Sequence, residues 1–116
     1  MLTGRTERVY VMYAVGTRVL AISHSTKNKV FIFGYGIYEG EKTPKDYPTE
    51  HQPAGMLGQF LVNEGRENPC IRLEDGKYVW GCECWWGPAD KADIEGLEVH
   101  NIDIQEARKE WIKETN

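Results

Sequence analysis

Long apolar runs are missing from this chain of 116 residues. No stretch approaches the roughly 18 consecutive apolar residues of a membrane-spanning helix. Residues 1–7 lack the charged-then-apolar plan of a secretory signal peptide. We therefore expect a protein that does not cross a membrane and that works in the cytoplasm.

Cysteine is scarce and clustered. The three cysteines are Cys70, Cys82 and Cys84, an odd number confined to the C-terminal half. A small secreted domain held by disulfides uses an even number of cysteines spread along the chain. The spacing therefore predicts reduced thiols.

An excess of basic charge is also absent. Fourteen Lys and Arg stand against 18 Asp and Glu, for a net charge of -4. Binding a nucleic-acid duplex requires a basic face that neutralises several phosphates, which this composition does not provide. Two or three local arginines would still suffice for a small anionic ligand.

Motifs that carry catalysis are not found. The sequence contains no H-E-x-x-H, no G-x-S-x-G and no P-loop. Gly34 and Gly36 lack the order of strand, phosphate loop and helix that a dinucleotide-binding fingerprint requires. We predict a non-catalytic protein without a cofactor. A small enzyme whose catalytic groups converge from distant positions is the less favoured alternative.

Tryptophan, in contrast, is concentrated in one short stretch. Residues 79–88, Val-Trp-Gly-Cys-Glu-Cys-Trp-Trp-Gly-Pro, hold three of the four tryptophans and two of the three cysteines. An indole combines a large apolar face with one N–H donor that needs a partner. This tryptophan-rich segment is therefore either the centre of a small core or the wall of a binding site, and the sequence leaves both readings open.

The rest of the chain predicts an α+β fold in a single domain, residues 1–116. Strand-like alternation and helical periodicity together favour a curved, largely antiparallel sheet, small-barrel-like, with two or three short helices. Segment 41–53 is polar and proline-containing, so we predict a flexible loop or flap there. The predicted strands are 9–13, 17–23, 30–39, 69–73, 77–84 and 97–102, and the predicted helices are 54–64, 89–95 and one that begins at Asp103.

Three patterns predict which side chains share a face. Alternation along the strand at 30–39 places Phe31, Phe33, Tyr35 and Ile37 together. Helical spacing gives the first helix a buried stripe of Met56, Leu57, Phe60 and Leu61. The last helix receives a buried stripe of Ile104, Ala107, Trp111 and Ile112.

The hairpin around Asp75 and Gly76 predicts where the cysteines point. A two-residue turn there would pair Ile71 with Trp80 and Cys70 with Gly81. This register places Cys82 and Cys84 on an apolar face and Cys70 on the opposite face. Because the three thiols would not converge, and the histidines are distant, we predict no metal site.

Glu83, Trp85 and Trp86 form the centre of the predicted binding site. A carboxylate beside two indoles can accept hydrogen bonds from a ligand edge while the indole faces stack on a flat ring. In the alternative, Glu83 pairs with a basic residue such as Arg72 and the tryptophans close the core.

Two further groups complete the predicted site. Arg66 and Asn68 are candidates for contact with an anion such as phosphate, although a solvated loop is the more common role of such residues. The backbone of Gly34, Tyr35 and Gly36 is a candidate wall, because glycine lets a ligand approach the chain closely. The same glycines also suit a β-bulge or a crossing side chain.

Several of these motifs resemble a family of small, uncharacterised proteins encoded by tailed bacteriophages and prophages. The similarity lies in Gly-Thr-Arg-Val at 16–19, Phe-Gly-Tyr-Gly-Ile-Tyr-Glu-Gly at 33–40, residues 68–77 and the tryptophan-rich segment. It spans most of the chain and implies an accessory phage protein in the host cytoplasm, with no catalytic residues. By analogy of size and origin, such proteins include anti-defence proteins that sequester cyclic nucleotides.

Two functions follow from this reasoning. The first is binding and sequestration, without catalysis, of a small nucleotide-like signalling molecule. The alternative is a protein–protein inhibitor that docks an aromatic patch on a host defence protein. A concave pocket lined by Trp and Arg would favour the first function, and a flat exposed patch would favour the second. Whether the chain forms a homodimer is left open.

Overall fold

The computed structural model describes residues 13–115. They form six strands, two α-helices and four single 3₁₀ turns. The strands are β1 (Arg18–Ser25), β2 (Lys29–Lys42), β3 (Asn68–Leu73), β4 (Tyr78–Trp80), β5 (Trp85–Pro88) and β6 (Glu98–Asn101). The helices are α1 (Gly55–Glu64) and α2 (Ile104–Thr115), and the 3₁₀ turns are Pro44–Asp46, Thr49–His51, Gly81–Glu83 and Ala89–Lys91.

The strands form one open sheet in the order β4-β3-β2-β1-β5. All neighbours along this path are antiparallel, whereas β6 pairs in parallel with the start of β2, from Lys29 to Ile32. Because β3 pairs with the same edge of β2 further along, from Gly36 to Lys42, β3 and β6 form a fork. The predicted α+β class with a largely antiparallel sheet is confirmed. The strand predicted over residues 9–13 lies almost entirely outside the described residues.

The core lies on both faces of this sheet, because successive side chains of a strand point to opposite sides. In β1, Val19 and Ala21 face the first core cluster, and Leu20 faces the second. Helix α2 covers the first cluster, with Ile104 fully buried, and residues 92–97 cover the second. The other buried members are Phe33, Tyr38, Ile71, Leu73 and Val79 in the first cluster, and Val30 and Ile32 in the second.

The alternation of β2 side chains between the two faces of the sheet is interrupted within the strand. Ala21 pairs with Gly34 and Ile22 with Ile32, so Phe33 is the extra residue of a bulge. Gly34 takes a φ of +137°, which other residues rarely adopt. Phe33 therefore joins the first core cluster while Tyr35 packs against the second, and the prediction that they share a face is wrong.

The predicted hairpin register is wrong by one residue. Cys70 pairs with Trp80 and Ile71 with Val79, because the turn has three residues instead of two. Leu73 N–H donates to Lys77 O at 2.8 Å, and Gly76 closes the turn with a φ of +90°. Cys70 and Trp80 thus share a face. Strand β4, the second strand of this hairpin, ends at Trp80 instead of residue 84, because residues 81–83 form a 3₁₀ turn.

Helix α1 forms where predicted and ends at Gly65, whose φ is +63°. Its predicted buried stripe is largely wrong, because Met56 is 80%, Leu57 55% and Phe60 48% exposed. Gly58 and Leu61 face inward instead. A Cβ at position 58 would lie only 2.6 Å from the Pro53 backbone, so a close approach to this proline sets the orientation of the helix.

The C-terminal elements differ from the prediction in one helix. Residues 89–95 form only the 3₁₀ turn Ala89–Lys91, because the chain is extended at Ala92, and Ala92 and Ile94 pack against the second core cluster. Helix α2 starts as predicted, with the Asp103 carboxylate accepting a hydrogen bond from Gln105 N–H at 2.7 Å. Its fourth predicted core residue, Ile112, is 47% exposed.

Segment 41–53 carries more anchors than its composition indicates. The Trp80 indole N–H donates to His51 O at 2.7 Å, and the Tyr47 ring meets Trp80 edge-on at 5.1 Å. Pro44 is fully buried. The flexibility of segment 41–53 stays a prediction. The contacts of His51, Tyr47 and Pro44 restrict how far this segment can move. Within residues 13–115, no helix is long and apolar enough to cross a bilayer.

Candidate functional site

The tryptophan-rich segment divides between core and surface. Trp80 is fully buried, while Trp85 is 79% exposed. Trp86 stacks on Tyr38 with ring centroids 5.0 Å apart and meets Tyr13 edge-on at 5.6 Å. Because Trp85 and Trp86 are consecutive residues of β5, they point to opposite faces of the sheet and cannot stack on the same ligand.

Glu83 is part of a buried ion pair with Arg108. Its side chain is 2% exposed, and that of Arg108 is 7% exposed. Arg108 Nη2 and Nε donate to the two carboxylate oxygens at 2.9 Å each, and Trp80 N–H donates to Oε1 at 3.0 Å. Glu83 is therefore a structural residue instead of a ligand contact. Its partner is not Arg72, which pairs with Glu39 at 2.7 Å.

Arg108 is a buried residue of this region that no sequence motif indicates. Its guanidinium also donates to Tyr78 O at 2.8 Å and to Glu50 O at 3.1 Å. One side chain on α2 thus joins β4, the turn at 81–83 and segment 41–53. A signal was present, because Arg108 lies four residues after Ile104 on the predicted apolar stripe, where a cation needs a buried partner.

The predicted anion-contact residues have separate roles in the fold. Asn68 Oδ1 accepts a hydrogen bond from Cys82 N–H at 2.8 Å, so its amide holds the turn that follows β4. Arg66 is exposed, with its guanidinium carbon 5.7 Å from the centre of the Phe60 ring. The Asn68 side chain thus has a structural partner, and Arg66 lies beside α1.

The Gly34–Gly36 stretch is shaped by the sheet. A Cβ at position 36 would lie 2.5 Å from Arg72 O, so this glycine permits the close approach of β3. Gly34 and Tyr35 line a cleft of about 640 Å³ in the fork between β3 and β6. Glu74, Asp75 and Asp103 also line it, and three carboxylates disfavour a phosphate there.

A second cleft of about 730 Å³ lies between α1, α2 and the chain around Pro53. It falls within the usual size range of ligand pockets, and it contains none of the predicted site residues. We call it the α1–α2 cleft. Its lining residues are Thr49, Glu50, Gln52, Pro53, Ala54, Gly55, Met56, Gln59, Gln105, Arg108, Lys109 and Ile112.

The three thiols are poorly suited to nucleophilic chemistry. Burial raises the pKa of Cys70 to about 11 and that of Cys82 to about 12, and it raises the pKa of Cys84 as well. Thiols that stay protonated at neutral pH are weak nucleophiles. Within the described part of the chain, no three His, Cys, Asp or Glu side chains are placed to hold a metal ion together.

Comparison of the chain with family profiles, curated proteins and solved structures finds no match.

Proposed function

We propose that this chain is a non-catalytic binding protein that engages another protein through a surface centred on Trp85. The observation that carries the proposal is the 79% exposure of this indole in a molecule that buries Trp80 completely. Burying an indole removes about 150–250 Å² of surface from water, and Trp is enriched among residues that dominate binding energy at interfaces.

The backbone of Trp85 is held in place by the sheet. Strand β5 pairs with β1, where Trp85 lies opposite Ile22 and Trp86 lies opposite Ala21. Trp86 fixes the strand from the other face through its stack on Tyr38. A large aromatic side chain whose backbone is already ordered loses little further entropy when it binds, which favours its use as an anchor.

A flat protein surface suits Trp85 better than an enclosed small ligand. Neither of the two clefts described above includes Trp85. Trp86 and Glu83, which were expected to bind beside it, are engaged in the core. An exposed indole that lies in neither cleft favours protein–protein contact over sequestration of a nucleotide. If the phage resemblance holds, the partner is a host defence protein.

Alanine substitution of the tryptophans tests this proposal. Tagged wild-type protein is used to capture partners from a bacterial lysate, and the affinity of the purified partner is then measured for each variant. We expect Trp85→Ala to weaken binding by about 2–4 kcal/mol, the loss typical of an interface anchor. The free energy of unfolding of Trp85→Ala should stay close to that of the wild type, because the indole is exposed.

Trp80→Ala provides the matched control. Removing this buried indole should destabilise the free protein by about 3–5 kcal/mol through the cavity it leaves. If Trp85→Ala destabilises the protein as much, Trp85 is structural and the proposal fails. A cyclic nucleotide that raises the melting temperature of the wild type but not of Trp85→Ala would also overturn it, in favour of ligand sequestration.

A further inference from the structure

Strand β6 has one open edge. Alternate residues of a strand in a parallel pair bond to the same neighbour. The N–H groups of Glu98 and Ile102 donate at 2.9 and 2.8 Å to carbonyl oxygens within residues 28–32. The N–H and C=O groups of Val99 and Asn101 therefore point away from β2, towards the other side of β6.

These outward groups are accessible from solvent. Val99 is 45% exposed, and Asn101 is exposed as well. Among residues 13–115, β6 pairs with β2 alone, and no backbone bond joins Val99 or Asn101 to another part of the chain. An unpaired edge of this kind is a template to which an extended segment of another protein can add as a further strand.

The fork between β3 and β6 places carboxylates beside this edge. Glu74, Asp75 and Asp103 line the cleft of about 640 Å³ together with Val99 and Asn101. A strand added to β6 would therefore lie beside these three acidic side chains.

The carboxylates of this cleft are only partly neutralised. Lys77 Nζ lies 2.8 Å from Asp103 and 4.0 Å from Asp75, so two carboxylates share one ammonium. Glu74 pairs with Arg18 at 3.4 Å, and both of these side chains are more than half exposed. Exposed ion pairs are weak, so Glu74 can exchange Arg18 for another cation at little cost.

The sequence around β6 adds negative charge. Residues 92–107 contain five acidic residues and no Lys or Arg. The five are Asp93, Glu95, Glu98, Asp103 and Glu106. A second copy of this chain would bring an equally acidic β6 to the open edge, and like charges that face each other across a strand pair are destabilising. Charge complementarity favours a basic segment instead.

We propose that the open edge of β6 binds an extended, basic segment of another protein by strand addition. Val99 and Asn101 supply the backbone hydrogen bonds, and Lys or Arg side chains of the segment pair with the carboxylates of the cleft. The backbone bonds give affinity for an extended chain, and the carboxylates select its charge. Strands β1 and β2 lie between β6 and β5, so this surface is separate from the one centred on Trp85.

A synthetic peptide that alternates lysine and valine tests this inference. Isothermal titration calorimetry should show that it binds the wild-type chain, with an affinity that falls as the salt concentration rises. A peptide with glutamate in place of lysine is the control for charge and should bind at least about tenfold more weakly. A lysine–valine peptide that is N-methylated at alternate residues keeps its charge but loses backbone donors, and its affinity should also fall at least about tenfold.

Val99→Pro is the matched variant of the protein. Proline removes the outward N–H without removing a bond to β2, and it is tolerated on edge strands. We expect Val99→Pro to bind the lysine–valine peptide at least about tenfold more weakly, with the circular dichroism spectrum of the wild type. Trp85→Ala is the control and should leave the affinity for the peptide unchanged. In the wild type, NMR should show slower amide exchange at Val99 and Asn101 when the peptide binds.

Three results would overturn the inference directly. One is a lysine–valine peptide that does not bind, and another is equal affinity for the N-methylated or the glutamate–valine peptide. The third is peptide binding that leaves the amide exchange of Val99 and Asn101 unchanged. A wild-type chain that dimerises with protection of the same two amides would assign the edge to a second copy and also overturn it. Because Trp85→Ala leaves the edge of β6 intact, failure of either proposal can be recognised separately from failure of the other.

Discussion

Trp85 and Trp86 show how strongly the pleat of a strand decides the role of a residue. The two are adjacent in the chain and identical in chemistry, yet Trp86 packs against Tyr38 and Trp85 is largely in solvent. Trp80 has a third role, since its indole N–H reaches His51 O and its ring fills the space beneath segment 41–53. One residue type thus supplies a core contact, an anchor for a loop and an exposed surface.

At the same scale, the buried thiols predict loss of stability at high pH. Burial raises the pKa of Cys82 from 9.0 to about 12, so the folded state holds this proton more tightly than the unfolded state. Above pH 9 the unfolded state alone loses the proton, which favours unfolding. We expect the free energy of unfolding to fall between pH 9 and about 12, and to fall less in Cys82→Ala than in the wild type.

Denaturant unfolding at a series of pH values measures this difference. Tyrosine and lysine titration affects both proteins, so the comparison between wild type and Cys82→Ala isolates the thiol. Equal dependence on pH in the two proteins would contradict the prediction. Native Cys70 should also react slowly with a thiol reagent at neutral pH, because it is fully buried.

At the scale of elements, backbone approach shapes the sheet as much as side-chain packing does. Strand β2 bulges at Phe33, and β3 closes so tightly on Gly36 that no Cβ fits beside the Arg72 carbonyl. The bulge turns Phe33 towards α2, where its ring meets Trp111 edge-on at 6.3 Å. A change in the backbone of one strand thus determines which ring supports the C-terminal helix.

Gly36→Ala tests the close approach of β2 and β3. The added methyl group would lie 2.5 Å from Arg72 O, and we expect it to destabilise the protein by about 1–3 kcal/mol through overpacking. Gly87→Ala is the matched control, because no atom lies within 4 Å of the Cβ that it would add. Urea unfolding of the two variants should show a clear loss only for Gly36→Ala. Equal stability of the two would mean that the strands separate easily at this point.

At the scale of the whole molecule, the Arg108–Glu83 pair joins parts that are distant in the chain. Arg108 bonds to Glu83, Tyr78 and Glu50, which places α2, β4 and segment 41–53 around one guanidinium. A buried pair of this kind stabilises little by itself, because removing both charges from water is costly. Breaking it leaves one charge buried without a partner, which is far less favourable.

Arg108→Ala should therefore destabilise the protein by about 3–5 kcal/mol, since Glu83 would remain buried and unpaired. The double variant Arg108→Met with Glu83→Gln removes both charges and should recover part of this loss. Thermal and urea unfolding of the single and double variants measure the coupling between the two residues. A double variant no more stable than Arg108→Ala would show that the hydrogen bonds to Tyr78 and Glu50 matter more than the charge of Glu83.

The sequence by itself determined the features that depend on near neighbours. Strand alternation, the Asp75-Gly76 turn signal, Gly65 after α1 and Asp103 before α2 all act within a few residues, so they predicted the α+β class and the position of most elements. The same local reasoning identified Trp80, Trp85 and Trp86 as important without deciding their roles.

Only the tertiary structure decided which side each element presents. A third residue in the turn moved the hairpin register by one and put Cys70 beside Trp80. The approach of Pro53 to Gly58 turned Met56 and Phe60 outward, and Arg108 on α2 took the carboxylate of Glu83 that was expected to meet a ligand. Arg108 and Glu83 are 25 residues apart in the chain, and the other two outcomes depend on how the chain folds back on itself. A local pattern fixes the spacing of side chains but not the surface that they meet.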